Sequence, residues 1–253
     1  MKVSILIPAY NEEKYIAKTL TAVLAQDYSD FEIIVINNNS SDKTKEIVKQ
    51  FNSPKLKLIE EKKAGVQFAR EAGRLESRGE FIGNLDADCI PPPNWITNCL
   101  KYLKNPKVVA VSGPYEYYDA KTSFRVSTLL TQKIGYNFFY KLLYLIFRRG
   151  VGMTGGNAMI RASALEKIGG YNTSITFYGD DTDTSKRLGK IGRVLFKNRI
   201  TIKSSSRRFK TIGKASVAWN YFINYLWVTI FDRPYNQEKN DLEKIRKGKE
   251  GDF

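Results

Sequence analysis

Along its first ninety residues the chain alternates between short apolar runs and stretches whose apolar positions fall three or four apart. Residues 2–8 (KVSILIP) form an apolar run closed by Pro8, which predicts a strand buried on both faces. Asn11, then Glu12 and Glu13, then Tyr15, Ile16, Leu20 and Val23, predict an amphipathic helix capped by Asn11 with acids in its first turn. Residues 31–36 (FEIIVI) predict a second strand followed by a loop at 37–41, and Asp42 the cap of a helix through Ile47, Val48 and Phe51. Residues 55–60 (KLKLIE) alternate as a third strand, 65–75 predict a helix, and 80–85 (EFIGNL) a fourth strand ending at Asp86. Strand–helix units repeating at roughly 25 residues predict a doubly wound, mostly parallel α/β sheet flanked by helices. Ligands of such sheets bind beyond the carboxyl ends of the strands. The polar clusters 8–12, 37–42 and 86–88, each at a strand end, are therefore expected to converge on one crevice.

The second half reads differently. Residues 108–111 predict a strand, and 128–149 a helix whose apolar run 138–147 is interrupted by Lys141 and closed by Arg148 and Arg149. Residues 215–231 form a second aromatic-rich segment, with Trp219, Tyr221, Phe222, Tyr225, Trp227 and Phe231. The first offers only about ten strictly apolar residues, and the second carries Asn220 and Asn224, so neither matches a membrane span. Aromatics beside Lys and Arg suit either a helix lying among lipid headgroups or the core of a subdomain. The tail 239–253 is charged, and Met1-Lys2 running directly into a strand predicts no signal peptide.

Charge sharpens this contrast. The chain carries 41 Lys and Arg against 26 Asp and Glu, yet residues 120–231 hold 19 of those cations and only four acids, Glu166, Asp180, Asp181 and Asp183. The remaining residues are balanced, so the basic half is expected to face phosphates, an anionic membrane or nucleic acid, or to be a solvated basic surface. With no His in the chain, Ser-His and Cys-His hydrolase arrangements and most zinc sites are excluded. Any general base must be a carboxylate, Lys or Tyr. Cys89 and Cys99 have neither metal-site nor redox spacing and are read as reduced, buried thiols of a cytosolic protein.

Three motifs could carry chemistry. Asp86-Ala87-Asp88 at a strand end can aim two carboxylates at one hard divalent cation, Mg²⁺ or Mn²⁺, although solvated loop acids would look the same. Asp180, Asp181 and Asp183 are crowded together, and mutual repulsion with burial can lift one of them to a general-base pKa; Asp180 or Asp181 could also cap the following helix. Gly155-Gly156-Asn157 lets backbone approach a ligand, or forms a tight turn before a strand.

Together these pieces resemble the family 2 glycosyltransferases of GT-A fold, over essentially residues 3–188. Pro8-Ala9-Tyr10-Asn11-Glu12 is similar to the opening P-x-Y-N-E, and Asn37 through Thr44 to the D-D/N-x-S-x-D-x-T loop. Gly65, Ala69, Arg70 and Gly73 fit G-x-x-x-A-R-N-x-G, Asp86-Ala87-Asp88 is the D-x-D, and Gly179 through Leu188 is similar to G-E-D-x-D-L-x-x-R-L. Two positions depart from the pattern: Asn37 stands where the family usually has Asp, and Glu71 where it has Asn.

The resemblance implies transfer of a sugar from a nucleotide diphosphate to an acceptor hydroxyl, with inversion. It assigns donor binding to Pro8, Tyr10, Glu12, Asn37, Asn38, Arg70, Asp86, Gly156, Asn157 and Asp180, the divalent cation to Asp88, and the general base to Asp181. Arg207 and Arg208 are candidates for the diphosphate. It also implies a GT-A domain over residues 1–204, with nucleotide binding in residues 1–104 and acceptor binding in residues 105–204, followed by a basic, amphipathic helical extension over residues 205–253. The absence of Q-x-x-R-W points away from a processive synthase. The expected setting is cytoplasmic, peripheral on the inner face of the cell membrane, with a glycan or lipid-linked acceptor in cell-envelope synthesis. A sugar-nucleotide-binding protein without turnover is the first alternative, and a basic nucleic-acid-binding protein the second. Nucleic acid is not an expected partner, since no helix-turn-helix, zinc-finger or RNP pattern occurs.

Overall fold

Side chains alternate across a strand, so a strand with apolar residues at nearly every position needs cover on both faces. β1 (Val3–Ala9) is such a strand, and all of its residues but Pro8 are buried. Val3, Ile5 and Ile7 enter one apolar cluster with Ile16, Leu20, Val23, Trp95 and Cys99. Leu6 enters another with Ile34, Ile36, Ala69, Ile82 and Leu188. A sheet sandwiched between two helical layers follows. The computed structural model describes residues 2–136, 138, 154–175 and 178–235.

The remaining strands are β2 (Phe31–Asn37), β3 (Leu56–Glu60), β4 (Phe81–Leu85), β5 (Val108–Ser112), β6 (Tyr115–Tyr117), β7 (Asn157–Arg161), β8 (Arg193–Phe196) and β9 (Ile202–Ser204). Seven form one sheet in the order β3-β2-β1-β4-β7-β5-β8, and β6 pairs with β9 in a small second sheet. The sheet is parallel except for β7, which runs antiparallel to both β4 and β5. The predicted mostly parallel α/β architecture is thus present. One sheet, in the order β3-β2-β1-β4-β7-β5-β8, carries strands from both parts, 1–104 and 105–204, of the expected GT-A domain.

Three predicted helix starts differ from the structure. The first helix is Ile16–Leu24 and has no side-chain cap. Asn11 instead adopts a left-handed backbone (φ 52°), and its Oδ1 accepts the Ser41 N–H at 2.8 Å. Its side chain joins the loops after β1 and β2 rather than starting a helix. Helix Asp180–Gly189 likewise begins at Gly179 (φ 90°) with no side-chain cap, so neither Asp180 nor Asp181 serves as one. Helix Thr44–Lys49 has Lys43, not Asp42, at its cap position; Asp42 lies one residue earlier and accepts the Thr44 N–H at 3.0 Å. Helix Val66–Glu76 matches its prediction closely. Of the predicted helix 128–149, helix Thr122–Leu130 and a π-helical turn Thr131–Tyr136 are described; most of the apolar run 138–147, and the tail 239–253, lie outside the described residues. Both cysteines are free and buried.

The aromatic segment is one helix, Lys214–Phe231, bolted to the Asp180–Gly189 helix through a buried lysine. Lys186 Nζ donates to the carbonyls of Val228 (2.9 Å) and Thr229 (2.7 Å) and pairs with Asp232 at 2.8 Å. These are the carbonyls a helix leaves unsatisfied at its C-terminus. Lys186→Met should therefore strand the Thr229 carbonyl, while the Val228 carbonyl keeps the Asp232 N–H and the exposed Asp232 carboxylate keeps water, costing about 1–3 kcal/mol in urea unfolding and speeding hydrogen exchange at the end of this helix. Among the described residues, no helix is long and apolar enough to cross a membrane.

Candidate active site

The strand-end clusters come together, as their positions in the sequence predict: Asn11 and Glu13 bond to Ser41 and Asp42, and Arg207 bridges Glu12 and Asp88. The loop after β4 turns sharply, the Cys89 N–H returning to the Asp86 carbonyl at 3.0 Å. Its flanks are pinned by the Thr19 hydroxyl, which donates to the Ala87 carbonyl at 2.7 Å, and by Ile90 pairing with Lys203. Asp86 also donates its N–H to the Gly156 carbonyl at 3.3 Å, continuing the β4–β7 ladder past Leu85 and Asn157. A side chain at Gly156 would overlap the Asp86 carboxylate, and one at Gly155 the Asp181 carboxylate. This glycine pair is therefore a floor over which two carboxylates lie side by side.

Arg70 holds them together. It sits on helix Val66–Glu76, is buried, and reaches Asp86 at 3.3 Å, Asp180 at 3.1 Å and Asp181 at 3.3 Å. Gln67, one turn earlier, donates to the same Asp180 oxygen at 2.7 Å. Burial opposes the Arg70 charge, but the three carboxylates outweigh it and hold the guanidinium protonated. Asp181, with about a third of its side chain exposed (31%), is raised to about 7 by burial and by the neighbouring Asp180, with Asp86 adding and Arg70 opposing. Asp180 is raised as well, by burial, against the pull of Arg70.

A second cation closes the other side. Arg207 clamps Glu12 with two hydrogen bonds of 2.6 Å, reaches Asp88 at 3.0 Å and stacks over the Tyr15 ring at 4.6 Å. Arg208 contacts the Tyr221 hydroxyl. Ligand atoms of Asp86, Asp88 and Cys89 lie within 4.8 Å of one another. Burial pushes the Cys89 thiol well up, so it stays protonated, and the carboxylate oxygens are the donors that suit Mg²⁺ or Mn²⁺. The donor set fits a hard divalent cation.

The asparagines are used differently. Asn37 donates to Glu60 at 2.7 Å and accepts the Ser40 N–H at 3.3 Å. Asn38 donates to the carbonyls of Glu61 and Lys63 at 2.7 Å each and accepts the Gly65 N–H at 2.8 Å, shaping the loop into helix Val66–Glu76. Asn157 is fully buried, accepting from Trp95 Nε1 at 2.9 Å and donating to Ile200 at 2.7 Å and Gly113 at 2.9 Å. It is not among the groups gathered at the pocket; it ties β7 to its neighbours. Pro8 lies opposite Ile36, one residue before β1 ends at Ala9, with Tyr10 just beyond. The unusual Glu71 pairs with Arg74 at 2.6 Å and accepts the Tyr171 N–H at 3.0 Å, a structural duty. Gln67 carries no motif that singles it out in the sequence, although it lies one turn before Arg70 on the same face.

A family model described as glycosyl transferase family 2 matches residues 4–169. The chain is 29% identical over 194 residues to the glycosyltransferase AglE of Haloferax volcanii, covering 70% of this chain and 58% of that one. It is 29% identical over 229 residues to the probable glycosyltransferase YdaM of Bacillus subtilis, covering 86% and 54%. The chain thus spans little more than half the length of these relatives. Among solved structures, the mannosyltransferase PcManGT of Pyrobaculum calidifontis, in complex with GDP-Man and Mn²⁺, superposes with a TM-score of 0.67 at 21% identity, over 96% of this chain and 68% of that one. TarS of S. aureus (residues 1–349), in complex with UDP-GlcNAc, superposes at 0.63 and 18% identity, over 98% and 71%. The fold is that of the GT-A glycosyltransferases. The family match covers well over half the sequence, and the chain belongs to glycosyl transferase family 2.

Proposed function

We propose that the protein transfers a sugar from a nucleoside diphosphate to an acceptor hydroxyl with inversion at the anomeric carbon. One observation carries the reading: Asp181, raised to about 7, lies beside Asp86 on the glycine floor of the crevice at the strand ends. A carboxylate of that pKa is half ionised near neutrality, the condition in which a general base works best. In this reading Asp181 accepts the acceptor proton as the hydroxyl attacks, from the side opposite the departing diphosphate. Arg70 keeps Asp180 and Asp181 fixed while leaving Asp181 accessible. Pro8, Tyr10, Asn37 and Asn38 form the nucleoside end, their backbone held rigid by the side-chain bonds just described. Asp86 and Asp88 would hold a divalent cation, which when bound offsets charge on the diphosphate as a Lewis acid. Arg207, beside Asp88, adds a positive charge on the same side. The acceptor is a glycan or a lipid-linked saccharide of the cell envelope, extended by one sugar per encounter.

The test is turnover of UDP-, GDP- and dTDP-sugars with Mn²⁺. At least one donor should be consumed with inversion, activity should fall by at least about 100-fold in EDTA, and Mn²⁺ or Mg²⁺ should restore it. Donor binding with no turnover toward any acceptor would replace the reading with a sugar-nucleotide-binding protein. Full activity in chelator would remove Asp86 and Asp88 from the cation role.

A further inference from the structure

Helix Lys214–Phe231 is apolar on two opposite sides. Val217, Asn224 and Val228 are buried, and they fall on one face at a 100° advance per residue. Trp219 (61% exposed), Phe222 and Ile230 (52%) lie on the reverse face, facing solvent. A second exposed row recurs every fourth residue along Thr122–Leu130 and beyond: Val126, Leu130, Ile134 (66%) and Phe138. It points away from Phe124, whose ring packs on Phe209 at 5.2 Å and under Lys214 Nζ at 4.4 Å. Those contacts join the N-terminal ends of the two helices. An apolar row that the fold leaves exposed is one that another apolar phase can cover.

Charge decides which phase. From Arg207 to Phe231 the sequence holds no acid; at the foot of the helix Lys214 is exposed, and Lys210 is exposed and pairs with Asp119 at 3.5 Å. From Lys121 to Tyr136 the sequence again holds no acid, with Lys121 exposed, Lys133 half-exposed and Arg125 half-exposed beside Glu116 at 3.7 Å, so the face carries a net positive charge. Two copies meeting through these faces would bring like charges together. A nucleic acid offers phosphates but nothing apolar for Val126, Leu130, Ile134 and Ile230. An anionic bilayer offers both, and Trp is the side chain favoured at the headgroup boundary.

We infer that these two apolar rows, with the lysines at their base, form a surface that docks onto an anionic lipid bilayer. Lys186 joins one of the rows to the helix that begins with Asp180 and Asp181, so docking also sets the height and orientation of the site above the lipid. The inference concerns binding and does not depend on the reaction assigned above.

The experiment is cosedimentation of the full chain with phosphatidylcholine vesicles, with or without about 30 mol% phosphatidylglycerol, at about 0.1 M salt. Binding is expected to the anionic vesicles and to weaken steeply with salt. The triple variant Trp219→Ser, Phe222→Ser, Ile230→Ser should bind them about 100-fold more weakly, as should Val126→Ser with Ile134→Ser to a lesser degree. All these positions are exposed, so melting temperature and donor affinity should be unchanged, showing that the variants fold. Equal binding to neutral and anionic vesicles, undiminished binding by the variants, or a dimer in solution that the same substitutions dissolve would each overturn the inference.

Discussion

Asp181→Asn is expected to abolish sugar transfer while making the folded protein more heat-stable above pH 7. The two effects share one cause. Burial and the Asp180 carboxylate raise Asp181 to about 7 in the folded chain, against an unfolded value near 4. Between those values the folded state binds more protons than the unfolded state, so this group lowers stability as pH rises from about 4 to 7, and the whole cost is present above 7. Asparagine removes the charge and keeps an oxygen that can accept from Arg70. The melting temperature of the variant should therefore exceed that of the parent at pH 8 and match it near pH 4. Transfer should fall by at least the roughly 10²–10⁴-fold that a general base supplies. In the parent, kcat/KM should climb tenfold per unit below about pH 7 and level off above it, whereas residual activity of the variant should lack that limb. A variant that kept near-parental turnover, or a parental profile with no inflection, would remove Asp181 from the base role.

Arg70→Met should be the most destabilising single substitution at the site. The guanidinium is the cation shared by Asp86, Asp180 and Asp181, all within 3.3 Å, and it is buried. Without it, three carboxylates would crowd a site that already raises two of their pKa values. Breaking a buried pair costs about 3–5 kcal/mol, and this one has three acceptors. The sign with pH follows: the acids relieve their repulsion by taking protons, so the loss should be larger at pH 8 than at pH 5. Arg70→Lys should recover only part, because a single ammonium cannot fork toward three partners. Urea unfolding at the two pH values measures this, and a loss below about 1 kcal/mol at pH 8 would show that the carboxylates have another counter-charge.

Much of the site is readable from sequence because strands of a parallel sheet carry continuous apolar runs and end in polar loops. That pattern located β1 to β4, and with them the Glu12, Asn37 and Asp86 loops. Periodicity does not report direction, so β7, five residues long and antiparallel, could be read only as a strand after a glycine turn. The three-residue strands β6 and β9 are too short to carry a period. Arg207 could be recognised as a cation but not as the partner of Glu12, since an ion pair spanning 195 positions leaves no local mark. Asn157 beside two glycines reads in the sequence as a ligand group, and in the fold its amide bonds to Trp95 and three backbone carbonyls, partners that no local pattern announces. The roles proposed for Asp88 and Asp181 come from the family resemblance; spacing alone assigns neither.

The antiparallel insertion of β7 has a consequence for how this geometry can change. Because Asp86 and the glycine pair are consecutive rungs of one hydrogen-bonded staircase, their separation is quantised. Sliding β7 by a single residue would turn its apolar side chains to the wrong layer and thrust Asn157 beneath Asp86. Gradual drift is closed to this pair, and variation in what the crevice accepts must come from the connecting segments around it.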